Sequence, residues 1–231
     1  MMQDRELRRL FRLVNKNPLE NPLFIFRRWN VLPWFQPKSI DASVLFIDMS
    51  ASVWAKSDHE DIWRENIYTL HARASRIIRT CHGTVSKFIG DCVMAFFTGP
   101  DHEQHGLWCS AALLETFGLL REFFEHDMDS TLWRFPVTLG LASGPVYFLY
   151  RRDPFGLAVD LAARLQGLAS SGTALILAGT VEDAGKVAEQ APLSTFLGDS
   201  TIVTVKSFGE VAVVKMRRPD QGVSQLNVHM H

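Results

Sequence analysis

The sequence has little that would mark a special environment. Only three of its 231 residues are cysteine (Cys81, Cys92, Cys109). They are odd in number and widely spaced with no CxxC, which excludes a small disulfide scaffold. They read as reduced thiols, packed as small hydrophobes in a cytoplasmic protein. No apolar run reaches the length of a bilayer-spanning helix. Arg5, Arg8, Arg9 and Arg12 precede no long apolar core or small-residue cleavage site, which argues against a secretory signal. Neither sign of charge is in excess. Lys and Arg number 24 and Asp and Glu 25, a net charge of −1, so charge makes no case for a nucleic-acid partner. Internal repeats and low-complexity tracts are absent too. What remains is 47% hydrophobic and 21% charged, ordinary for a globular protein long enough to bury one full core.

Residues 1–40 differ from the rest. Leu7, Leu10, Phe11 and Val14 form the stripe of an amphipathic helix with arginines opposite. Pro18, Pro22, Pro33 and Pro37 then alternate with Phe24, Phe26, Trp29, Trp34 and Phe35, which reads as an aromatic strap. Residues 41–218 read as a catalytic domain and 219–231 as a tail. Within the domain, Ser43–Ile47 is a buried strand. A helix over 57–80 follows, with Asp58 as N-cap and Gly83 beyond its end. Thr84–Phe88 and Cys92–Phe97 form a hairpin. A helix over 102–126 carries Ala111, Leu114, Phe117, Leu120 and Phe124 inward. Phe135–Ala142 and Val146–Tyr150 read as strands about a tight turn at Ser143-Gly144-Pro145. A helix over 156–169, a strand over 174–177, a helix over 180–190 and strands over 202–206 and 210–215 complete the domain. The order predicts an α+β fold, one mixed sheet with helices packed on a face.

Asp48 ends the first strand and Asp91 sits in the hairpin turn. If that hairpin pairs beside the first strand, both carboxylates reach one sheet end. Hard oxygen ligands there suit Mg²⁺ or Mn²⁺ bridging phosphate oxygens. By spacing alone, two ordinary turn aspartates are the favoured reading.

The surrounding residues decide between these. Val44-Leu45-Phe46-Ile47-Asp48-Met49 and Lys87-Phe88-Ile89-Gly90-Asp91-Cys92-Val93-Met94-Ala95 resemble the class III nucleotidyl cyclases. So do Val137-Thr138-Leu139-Gly140-Leu141-Ala142-Ser143-Gly144, Asp160-Leu161-Ala162-Ala163-Arg164-Leu165 and Val205-Lys206-Ser207-Phe208-Gly209-Glu210, in family order across 43–216. The resemblance implies the class III catalytic fold as a head-to-tail homodimer with active sites between protomers. It implies cyclisation of a nucleoside triphosphate with release of pyrophosphate, using two divalent cations (Mg or Mn). By the same resemblance, Asp48, Asp91 and the carbonyl of Met49 hold metal, with N–H groups of residues 50–53 around phosphate. Arg164 stabilises the transition state, Lys206 contacts phosphate, and Lys87 and Asp153 read the base. That donor–acceptor pair fits adenine, cytosine or uracil.

The pattern departs from the family in three places. Asp160 stands where the family has asparagine, and an ionised aspartate cannot donate to ribose. It either orients Arg164, one turn away, or lowers activity. The phosphate loop reads Asp48-Met49-Ser50-Ala51-Ser52-Val53, followed by Trp54. The arm between Val146 and Gly156 is short. These departures resemble the bacterial Pycsar-type pyrimidine cyclases, which make cyclic UMP or cyclic CMP in antiphage defence to activate a partner effector. UTP is the favoured substrate. Trp54 either narrows the base pocket for a single ring or is core. An adenylate cyclase making cyclic AMP, and a weakly active nucleotide-binding or dimerisation module, are the alternatives.

Overall fold

A computed structural model describes residues 39–50, 60–125, 136–149 and 153–219. The amphipathic helix and strap, Trp54, the expected cap Asp58 and the C-terminal tail beyond 219 lie outside the described residues. The chain divides into two compact units, Met1–Lys38 and Ser39–His231. Everything below concerns the second.

The sheet grows outward from β1 (Ser39–Met49). This strand begins inside the stretch read as strap and is longer than Ser43–Ile47. It pairs antiparallel on one side with β3 (Cys92–Thr98) and on the other with β4 (Val137–Leu149). The remaining strands are β2 (Thr84–Ile89), β5 (Asp153–Phe155), β6 (Thr173–Leu177), β7 (Leu197–Val205) and β8 (Gly209–Arg217). Their order is β2-β3-β1-β4-β6-β8-β7, with β5 on β4. Among the described residues only β4 and β6 pair in parallel, so the sheet is mixed, as expected.

Both faces of the sheet are covered, not one. Leu45, Ile47 and Met49 of β1 meet Leu70, Ala74 and Ile78 of α1 (Glu60–Thr80) and Leu107, Leu114 and Phe117 of α2 (His102–Glu125). The alternate residues Ala42, Val44 and Phe46 meet Ala158, Leu161, Ala162 and Leu165 of α3 (Leu157–Leu168). The period of two therefore assigns Asp48, next in that series, to the α3 face. Short helices α4 (Ala178–Ala184) and α5 (Leu193–Phe196) precede β7.

Several expectations change for local reasons. No tight turn breaks β4: Ser143, Gly144 and Pro145 lie within it, paired to β1. Pro145 is tolerated because, among the described residues, no strand pairs on its other side. The hairpin comes later, between Tyr147–Leu149 and β5. The helix expected over 180–190 ends at Ala184, where Gly185 takes a positive φ of 56° and a 3₁₀ turn follows. After α1 the left-handed residue is His82, not Gly83. Gly83 is needed for space, since a Cβ there would lie 2.5 Å from the Phe97 ring. At the end of β8, Arg218 donates to Glu115 (3.0 Å) and to Glu122, both on α2.

Helix α3 rests directly on the β4 backbone. A Cβ at Gly140 would lie 2.1 Å from the Ala162 carbonyl oxygen and 2.2 Å from the Gln166 nitrogen. Backbone atoms cannot swing aside as a flexible side chain can. Gly140→Ala is therefore expected to lift α3 and cost about 1–3 kcal/mol, the usual range for overpacking. A urea melt with an unchanged midpoint would show that the contact is not this close.

Candidate active site

The β1 register fixes one cluster. Asp48 faces Cys92 across β3 and Thr138 across β4. Asp91 is adjacent to Cys92, in the two-residue turn of the β2–β3 hairpin, where Gly90 takes φ 63°. Both carboxylates bear on the Cys92 thiol. Burial first, then the charges of Asp48 and Asp91, push its pKa up to about 12. The two aspartates thus meet at one sheet end, as expected if the hairpin pairs beside the first strand. The Met49 side chain is buried in the core on the face opposite Asp48, so it is turned away from this cluster.

Two residues not singled out in the sequence hold this cluster. His71 of α1 donates from Nε2 to the Gly90 carbonyl (3.1 Å) and stacks on Phe88, pinning the turn that carries Asp91. Burial lowers its pKa, which favours the neutral ring. Gln166 of α3 donates to Thr138 Oγ1 at 2.8 Å and lies 3.5 Å from Asp48 Oδ2. Either residue is an ordinary helix-surface polar group until the hairpin and α3 are docked on the sheet.

The other expected residues lie elsewhere. Lys87 and Asp153, far apart in sequence, form an ion pair with side chains 42% and 50% exposed. The β2–β3 register shifts between Val85 and Lys87. Lys206 is exposed in the turn between β7 and β8. Asp160 is exposed in the first turn of α3 and Arg164 is half-buried one turn on. Among the described residues no ion pair joins them, so an orienting role for Asp160 finds no contact here. Asp153 pairs with Leu149, and Lys206 follows Val205, which pairs with Gly209. Lys87 stands on the hairpin that carries Asp91, and Asp153 reaches back to it; Lys206, traced through β4, β6 and β8, falls at the sheet end opposite Asp48.

The donor set at the Asp48 end fits a hard cation. Among the described residues no group of three or more His, Cys, Asp and Glu side chains is arranged to hold a metal. An ion there would use two carboxylates and a main-chain oxygen, completing its shell with water and phosphate oxygens, which is how Mg²⁺ is commonly held. The adjacent Ser50 hydroxyl is buried without a hydrogen-bond partner. A different cluster only imitates a nucleophile. Ser43 Oγ lies 2.9 Å from His102 Nδ1, and Glu103 lies 3.1 Å from His102 Nε2. Ser43 is fully buried and also bonded to Ser143, so it ties α2 to the sheet.

Comparison with solved structures agrees with this architecture. The adenylyl cyclase CyaB from P. aeruginosa superposes with a TM-score of 0.64 at 19% identity, over 82% of this chain and 100% of that one. The adenylate/guanylate cyclase/hydrolase from Silicibacter pomeroyi gives 0.62 at 21%, over 80% and 100%. The guanylate cyclase domain of RhGC from Catenaria anguillulae, solved in complex with GTP, gives 0.60 at 17%, over 79% and 100%. The fold is that of the class III cyclase catalytic domains. No protein-family model and no curated protein sequence matches the chain. Among the described residues no helix is long and apolar enough to cross a membrane.

In this cyclase fold the Cys92 thiol stays protonated through neutral pH. Its raised pKa leaves almost no thiolate to react below about pH 10. Native-state labelling with iodoacetamide should therefore leave Cys92 unmodified from pH 7 to 9, whereas the unfolded chain should label there increasingly with pH. Equal labelling rates in the native and unfolded states would contradict the crowding by the two carboxylates.

Proposed function

We propose that the chain is a nucleotidyl cyclase converting a pyrimidine nucleoside triphosphate, UTP by preference, to the 3′,5′-cyclic monophosphate and pyrophosphate. The observation that carries this reading is the division of the site residues between the two ends of one sheet. Asp48 and Asp91 meet at one end, while Lys206 lies at the other. A single chain then holds two half-sites, and head-to-tail pairing of two chains would bring complementary halves together. Arg164 fits the same scheme. It stands two positions from Gln166, about 200° around the helix, so it faces away from its own chain's Asp48.

In the assembled site Asp48, Asp91 and the Met49 carbonyl would hold two divalent cations. Bound there, such ions neutralise charge on the triphosphate and acidify the ribose 3′-hydroxyl. The 3′-hydroxyl loses its proton to solvent water, its oxygen attacks the α-phosphorus in line, and the bond from that phosphorus to pyrophosphate breaks as pyrophosphate leaves. Arg164 of the second chain donates to the oxygens of the pentavalent transition state. Lys206 holds a phosphate oxygen, and the buried Ser50 hydroxyl is a further donor beside Asp48. Lys87 donates and Asp153 accepts at the base edge. Their half-exposed ion pair is worth little by itself, so a base can displace it at low cost. The same pair fits adenine, which supports a second reading as an adenylate cyclase. The preference for a pyrimidine, and a role in making a messenger for an antiphage effector, rest on the resemblance of the altered phosphate loop and short arm to Pycsar-type cyclases.

A panel of ATP, GTP, CTP and UTP with Mn²⁺, read by chromatography, tests substrate and reaction together. Cyclic UMP is expected. Cyclic AMP alone would overturn the pyrimidine preference, and no product from any of the four would overturn the cyclase reading. Asp48→Ala and Asp91→Ala should each abolish turnover. Arg164→Ala should lower kcat by about 10²–10³ with little change in KM, the pattern of a contact made in the transition state.

A further inference from the structure

Gln166 stands where three constraints meet. Its backbone nitrogen is seated over Gly140, where a Cβ would approach within 2.2 Å. That seat fixes the last turn of α3 relative to β4. From there the side-chain amide donates to Thr138 Oγ1 at 2.8 Å. Thr138 is buried and directly opposite Asp48 in the β1–β4 register. The Gln166 nitrogen then lies 3.5 Å from Asp48 Oδ2. A carboxamide nitrogen carries two protons and no charge. One proton is committed to Thr138, and the other is left for the aspartate.

We propose that Gln166 is a positioning residue for Asp48, holding one carboxylate oxygen so that the other is presented to a divalent cation. This inference rests on the cation reading of the Asp48–Asp91 pair. The distance to Asp48 is at the outer limit of a hydrogen bond, yet the donor is held from both sides and cannot drift away. A neutral donor suits the task. A lysine would neutralise the carboxylate that must attract the ion, and an apolar residue would leave its rotamer unrestrained. Groups behind a metal ligand commonly set its orientation and tune affinity about 10–100-fold.

The test uses the full-length chain and Mn²⁺ alone, with free ion measured by electron paramagnetic resonance, so that no turnover is needed. Gln166→Met keeps length and helix propensity but removes the donor. It should raise the Mn²⁺ concentration for half-saturation about tenfold, with the melting temperature little changed. In an Asp48→Ala background the same substitution should have no further effect. An unchanged Mn²⁺ affinity would overturn the proposal, as would an equal loss in the Asp48→Ala background. If Asp48→Ala itself leaves Mn²⁺ binding intact, the cation reading fails and Gln166 with it. Should Gln166→Met not fold, Thr138→Val removes the hydroxyl that anchors the same amide. It should weaken Mn²⁺ binding in the same direction, and unaltered binding there would also refute the role.

Discussion

The register of β1 is the constraint on which the rest depends. The strand is paired on both sides along most of its length, so its backbone groups are committed and cannot slide without breaking two ladders. A one-residue slip would turn Leu45, Ile47 and Met49 away from α1 and α2. It would also move Asp48 off the α3 face. With the register held, Asp48 must stand between Cys92 and Thr138. The first places it beside Asp91, and the second places it within reach of Gln166.

From that strand the division of labour follows. The carboxylates gather where β1 ends, while the turn that carries Lys206 lies where β1 begins. Helix α3 spans the distance between them. Its last turn is fixed over Gly140, with Gln166 toward its own chain's aspartate, and Arg164 looks the other way. In the proposed dimer one helix would steady the cation half-site of its own chain while offering an arginine to the other, and the proposed chemistry would need both.

Much of this was legible in the sequence because the responsible signals are local. The apolar run ending in Asp48, the glycine turn before Asp91 and the stripe from Ala111 to Phe124 each state their structure within a few residues. Lys87 and Asp153, which the family resemblance assigns to reading the base, form an ion pair. Other features depend on tertiary contact and leave no local trace. Gly140 sits in a strand that reads normally until α3 is laid on it. His71 and Gln166 are unremarkable polar residues on helices. Pro145 looked like a turn because proline usually interrupts a sheet, and only the unpaired side of β4 makes it harmless. Coverage of the second sheet face by α3 likewise could not be read from element order.

The central claim is that each active site is built from two chains, and complementation tests it most directly. Asp48→Ala and Arg164→Ala chains, each inactive alone, would be mixed under conditions that allow subunit exchange and assayed with UTP and Mn²⁺. Half of the dimers in an equal mixture are mixed, and each mixed dimer retains one intact site. The account predicts recovery to about a quarter of wild-type activity. A mixture that exchanges subunits but stays inactive would contradict it, placing Asp48 and Arg164 in the same chain's site.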